Sequence, residues 1–172
     1  MRRAALPTLT AAEGAAWGGF LRAHATIVRR LDHELRTACD LDLNEYEILL
    51  QLAWAGGAQR MRELAQAALL TGSGVTRVVA RLEAADCVRR RPDPDDRRGV
   101  VAVLERSGYL RLEAAQRVHL AGIRKCFVSP VGARSLAPLA DAFARIVEHT
   151  PLAAASDAAP AGTTASRHPN SR

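Results

Sequence analysis

Lysine is almost missing from this chain: of its 24 basic residues, Lys125 alone is not arginine. The flat donor fork of a guanidinium suits phosphates and guanine edges, so the bias fits a nucleic-acid partner, although GC-rich coding produces the same bias. Apolar runs of the ~20 residues needed to cross a bilayer are also missing. The N-terminal stretch of Met1, Arg2, Arg3 and a few apolar residues broken by Pro7 is too short for a secretory signal. The expectation is a cytoplasmic protein with no membrane partner. Cysteine is scarce, and Cys39, Cys87 and Cys126 lie far apart without CxxC pairing, which argues against a disulfide framework or a structural zinc knuckle. The histidines His24, His33, His119, His149 and His168 show no HxxxH spacing, so no metal site is expected from neighbouring positions. GxSxG, HExxH, Walker and Rossmann patterns are absent as well; no enzyme, no catalytic residue and no cofactor is expected.

What is present is positive charge. The formal net charge is +6 and the pI about 10.2, which points to a polyanionic partner. The length of 172 residues suits one domain of ordinary size. Residues 1–10 lack periodicity, and residues 151–172 are mostly Ala, Ser, Thr, Pro and Gly, so both ends are expected to be disordered around a body at 11–150.

Apolar residues at three- and four-residue steps (Phe20, Ile27, Leu31, Leu35, Ala38) predict a long amphipathic helix over 12–38. A second helix is expected from an N-cap pair, Asn44 and Glu47, to about Trp54, ended by Gly56 and Gly57. Arg60–Ala68 reads as a third, with Arg60 and Arg62 outward. Thr71 is the expected N-cap of a fourth, whose Val75, Val78, Val79 and Leu82 form one face while Ser73, Thr76, Arg77 and Arg81 line another. Two helices joined by a tight turn form a helix-turn-helix pattern. Cys87–Arg91 and Val100–Leu104 then read as strands around the polar tip PDPDDRRG. Two more helices are expected at 107–127 and 133–149, separated by Ser129, Pro130 and Gly132.

The stretch MRELAQAALLTGSGVTRVVARLEAADCVRRRPDPDDRRGVVAVL, with NEYEILLQLA before it, resembles the MarR (multiple antibiotic resistance regulator) family over roughly residues 12–149. The resemblance implies a mainly α (α+β) fold: a winged helix-turn-helix at 43–105, with helices 12–38 and 107–149 forming a dimerisation region. It also implies a bacterial, nucleoid-associated homodimer that grips a pseudo-palindromic operator in double-stranded DNA. Thr71, Ser73, Thr76, Arg77 and Arg81 would serve the recognition helix. The wing tip resembles the family's Asp-x-Arg motif, so Asp96 would orient an arginine, Arg97 would stand beside it, and Arg98 would enter the minor groove. Arg89, Arg90 and Arg91 would clamp phosphates or bridge to the three wing aspartates. Gly72 and Gly74 stand where the family often has longer side chains, and Glu105 where a threonine commonly follows the second strand.

Many members of the family respond to small aromatic anions, and Trp17, Arg22, His24 and Tyr46 are the candidates here for an aromatic wall and a cation. His24 shares the apolar stripe of Phe20 and Ile27, so a packed histidine is the simpler reading. Redox sensing would need a thiol in a cationic setting, and only Cys126, beside Arg124 and Lys125, and Cys87, near Arg89, come close. The function expected is therefore a sequence-specific transcription regulator, a repressor relieved by an effector. The competing reading is an arginine-rich protein that coats DNA without preference for any site.

Overall fold

The computed structural model describes residues 8–68 and 70–150. The tails expected at 1–10 and 151–172 lie almost wholly outside them; Thr10, assigned to the first tail, instead caps a helix. The element order is α1 (Ala11–Cys39), α2 (Leu43–Trp54), β1 (Ala58–Arg60), α3 (Met61–Ala67), α4 (Gly72–Ala84), β2 (Val88–Pro92), β3 (Val100–Leu104) and α5 (Arg106–Ile123). A π-helical turn (Arg124–Val128), α6 (Ser129–Val131) and α7 (Ala133–His149) follow. Contacts divide the chain into one compact unit up to Ala133 and a second from Arg134.

Capping boxes begin the first two helices. Thr10 accepts the Glu13 N–H while Glu13 accepts the Thr10 N–H, and Asp42 and Glu45 do the same for α2. The start expected at Asn44 and Glu47 is thus displaced by two residues, because Asp42 satisfies the orphan amides first. The expected break at Pro130 is also replaced: the chain stays helical through Val131 and stops at Gly132, whose φ of +75° is left-handed. Pro130 has no N–H to offer, and the helix widens into its π turn just ahead of it.

The three strands form one antiparallel sheet in the order β1-β3-β2, with Arg60 opposite Val101 and Pro92 opposite Val100. The core gathers Leu35, Leu41, Tyr46, Ile48, Leu49, Leu52, Leu64, Val75, Val79, Leu82, Cys87, Ala102 and Leu112. Each large apolar side chain buried here stabilises the fold by about 1.5–3 kcal/mol. Helix α5 seats itself on the sheet through Gly108, where a β-carbon would run into the Cys87 carbonyl. It crosses α1 at Gly122, where a β-carbon would lie 2.6 Å from Leu31 Cδ2. Only the C-terminal half of α1 is buried, at Leu31 and Leu35; Trp17 and Leu21 are 56% and 46% exposed. Helix α7, in the second unit, is amphipathic without a buried residue, and Ile146 and Val147 lie open.

Candidate nucleic-acid interface

The opposite faces of α4 have different fates. Val75, Val78, Val79 and Leu82 are 5% exposed or less, which anchors the helix and leaves Ser73, Thr76 and Arg77 in solvent. Thr71 caps the helix, its Oγ1 accepting the Gly74 N–H at 3.1 Å and standing 3.3 Å from Ser73 Oγ. Thr76 donates its hydroxyl to the Gly72 carbonyl, and Arg77 Nε donates weakly to the Ser73 carbonyl at 3.4 Å. Among the described residues Arg77 has no carboxylate partner, so its guanidinium is available. A β-carbon on Gly72 would meet nothing within 4 Å, which leaves the first turn of the helix bare.

Arg81, expected on the DNA side, is committed within the lobe instead. Its Nη2 donates to Asp42 at 2.6 Å and its Nε to Glu45 at 2.8 Å. Arg36 approaches the same Asp42 carboxylate at 3.4 Å and also donates to Asp32, whose other oxygen accepts the Leu43 N–H. Asp42 is nearly buried, so the end of α4, the start of α2 and the end of α1 are tied through one desolvated carboxylate.

The wing corrects further expectations. Arg89 and Arg90 do not bridge to the wing aspartates: Arg89 donates to Glu105 at 2.8 Å, and Arg90 donates to Glu83, holding that carboxyl below its usual range. Glu105 thereby faces β2 rather than capping α5, which begins without a side-chain cap. Two of the three wing aspartates, Asp93 and Asp95, are held by Arg60, expected only as an outward residue of its helix. Its Nε donates to Asp93 at 2.5 Å and its Nη2 to Asp95 at 3.0 Å. Asp96 Oδ1 accepts the Arg98 backbone N–H at 2.9 Å and makes no hydrogen bond or ion pair with an arginine side chain among the described residues. Arg91, Arg97 and Arg98 are exposed and make no ion pair among the described residues. Arg62, not among the expected contacts, is likewise exposed and unpaired; it shares with Thr76 and Arg98 a groove of about 510 Å³ between the helix-turn-helix and the wing.

The effector candidates do not converge. Trp17, Phe20 and His24 form a ladder on α1 with ring centroids 5.8 and 6.1 Å apart, and Arg22 folds its guanidinium back over Gly18. Tyr46 is not a wall of an open crevice but a core residue, 2% exposed, its ring 4.4 Å from that of His119. Burial raises the Tyr46 pKa and lowers that of His119, with the Glu47 charge opposing the latter; His119 Nδ1 is buried without a hydrogen-bond partner among the described residues. Cys87 is buried, its thiol donating to the Ala85 carbonyl, while Cys39 and Cys126 are half-buried.

Comparison with known proteins agrees with this geometry. Residues 40–99 match the model of the MarR family. AbsC, a MarR family transcriptional regulator from Streptomyces coelicolor, is 32% identical with a TM-score of 0.78, the match covering 84% of this chain and 97% of that one. Sco3205, a MarR family transcriptional regulator of the same organism solved in complex with DNA, is 29% identical over 83% of this chain and 93% of that one, again with a TM-score of 0.78. The HTH-type transcriptional regulator YkoM of Bacillus subtilis (strain 168) is 29% identical over 97 residues, which span 56% of this chain and 63% of that protein. With an exposed recognition helix, an arginine-tipped wing and this kinship over most of its length, the chain belongs to the MarR family of winged helix-turn-helix transcriptional regulators, which are not enzymes.

Proposed function

We propose that this protein is a homodimeric, operator-specific repressor that binds double-stranded DNA and is released by a small aromatic anion. The observation that carries the DNA-binding part is the uncommitted face of α4, with Ser73, Thr76 and Arg77, beside a wing whose Arg97 and Arg98 lack carboxylate partners among the described residues. Helix α4 enters the major groove N-terminus first, its free amides toward a phosphate and Arg77 toward a base edge. The bare turn at Gly72 lets the backbone approach the DNA closely. Arg62 and Arg91 contact phosphates on either side. Arg98 reads a narrow minor groove, where negative potential is concentrated. Sco3205, solved in complex with DNA, supports this reading by its likeness.

The dimer is proposed from the apolar surface that α1 and α7 each leave open, Trp17 and Leu21 on one and Ile146 and Val147 on the other. A two-fold axis would set two recognition helices ~34–36 Å apart, one turn of DNA. The effector proposal rests on the α1 ladder of Trp17 and His24; Tyr46 drops out of that set, and the Arg22 guanidinium lies against Gly18 on another face of the helix. A cytoplasmic, nucleoid-associated location follows from the same reading. Among the described residues, no helix is long and apolar enough to cross a membrane.

Selection from a random duplex pool at ~150 mM salt tests the proposal. A pseudo-palindrome with half-sites 10–10.5 bp apart, bound at least ~10³-fold more tightly than unrelated DNA, is the expected result. A pool without enrichment and with a steep salt dependence would mean that the protein coats DNA non-specifically. Quenching of tryptophan fluorescence by a substituted benzoate, together with release of the selected duplex, tests the effector.

A further inference from the structure

The Arg60 contacts to the wing have no counterpart in the proposed DNA contacts. Arg60 ends β1, opposite Val101 of β3, and is also the N-cap position of α3. It makes no side-chain cap there. Its guanidinium instead reaches 33 residues along the chain to Asp93, the first residue past β2, and grips Asp95 with a second nitrogen. The Asp93 side chain is 2% exposed. A carboxylate so desolvated is destabilising unless paired, so this ion pair differs from the solvated surface pairs whose worth is close to nothing.

Asp93 in turn organises the tip. Its Oδ1 accepts the Asp95 N–H at 3.1 Å, and its own N–H donates to the Gly99 carbonyl at 3.0 Å. Gly99 donates to the Asp96 carbonyl at 2.8 Å, and Asp96 holds the Arg98 amide. The seat is tight: a β-carbon on Gly99 would lie 2.7 Å from Asp93 Cβ. A short chain of bonds thus runs from the first residue before α3 to the backbone of Arg98.

We propose that Arg60 is a positioning residue that aims the wing, clamping the tip through Asp93 and Asp95 so that Arg98 is held at a set place relative to the recognition helix. The inference rests on the DNA-binding reading above. Arg60 itself is turned to the carboxylates and does not touch DNA. Because the clamp needs two nitrogens of a planar fork, lysine does not replace it. Because it acts through Arg98, its loss matters most where Arg98 matters, on a narrow minor groove.

The test uses the full-length dimer and the selected duplex flanked by A·T-rich or G·C-rich segments, with Arg60→Ala, Arg60→Lys, Asp93→Asn, Arg98→Ala and the double variant Arg60→Ala/Arg98→Ala. Thermal unfolding of each variant verifies folding, and Asp93→Asn, equal in size to the original, keeps the test open if Arg60→Ala does not fold. Arg60→Ala, Arg60→Lys and Asp93→Asn are expected to weaken binding on A·T flanks by about five- to tenfold, with a smaller loss on G·C flanks, and the double variant to be no weaker than Arg98→Ala alone. Asp93→Asn is the decisive arm, because removing a negative charge beside DNA would otherwise tighten binding. Binding by Asp93→Asn as tight as wild type or tighter, full retention in Arg60→Lys, or losses that multiply in the double variant would overturn the clamp while leaving the DNA-binding reading intact. If Arg98→Ala binds like wild type on both flanks, the wing reading itself fails and the clamp has nothing to aim.

Discussion

Replacing Asp42 should separate two roles that one buried carboxylate performs at once. Its Oδ1 caps α2 by accepting the Glu45 N–H at 2.8 Å, and its Oδ2 receives Arg81 at 2.6 Å and Arg36 at 3.4 Å. Asp42→Asn keeps a capping oxygen and loses the charge. The two arginines are each about half exposed, so water screens them and the loss is expected to be about 1 kcal/mol. Asp42→Ala also removes the cap, worth about 1 kcal/mol more, and leaves the α2 amides without a partner, for a total of about 2–3 kcal/mol. For a chain of this size that corresponds to a fall in Tm of roughly 2–4 °C for Asn and roughly 5–10 °C for Ala. Calorimetry on the two variants measures both. Equal losses in Asn and Ala would show that the cap contributes nothing. The same cluster also decides the place of Arg81: since its donors are turned to Asp42 and Glu45, Arg81→Met should leave the salt dependence of DNA binding unchanged. A fall in the log–log salt slope by about one unit would instead make Arg81 a phosphate contact and refute its assignment to the lobe.

Arg77→Ala should weaken binding of the selected site by about 1–3 kcal/mol and relax base preference at one or two positions per half-site; an equal loss on random DNA would reduce Arg77 to a phosphate contact. Gly108→Ala should destabilise the fold by about 1–3 kcal/mol, because its methyl would press on the Cys87 carbonyl where α5 meets the sheet; an unchanged urea midpoint would show that α5 can shift without cost. Acid should loosen the wing. The Arg60 guanidinium holds the Asp93 carboxyl below its ordinary value of about 4, so the stabilisation is present above that pH and is lost as pH falls through the depressed native value. Unfolding curves between about pH 6 and pH 2 should therefore fall less steeply for Asp93→Asn than for wild type, and parallel curves would contradict the pairing.

The sequence alone determined the periodic parts of this protein. Val75, Val78, Val79 and Leu82 repeat at helical spacing, so their burial, and the exposure of Ser73, Thr76 and Arg77 opposite them, was legible without coordinates. The PDPDDRRG tip between two β-rich runs marked the wing in the same way, since turn chemistry is local. The Asp42–Glu45 box is also a local pattern, two residues ahead of the Asn44–Glu47 pair. What only the tertiary structure decided was the assignment of charges to partners. Arg60 and Asp93 are 33 residues apart, and Arg81 and Asp42 are 39 apart. No periodicity encodes such pairs, because an arginine on a helix surface looks the same in sequence whether it faces water, DNA or a carboxylate. Tyr46 shows the same limit: nothing local distinguishes a pocket wall from a core ring, and its burial against His119 depended on where α5 lay down. Local spacing selects which face of an element is apolar, whereas the partner of a long polar side chain is chosen by whichever opposite charge the packed core brings within about 4 Å.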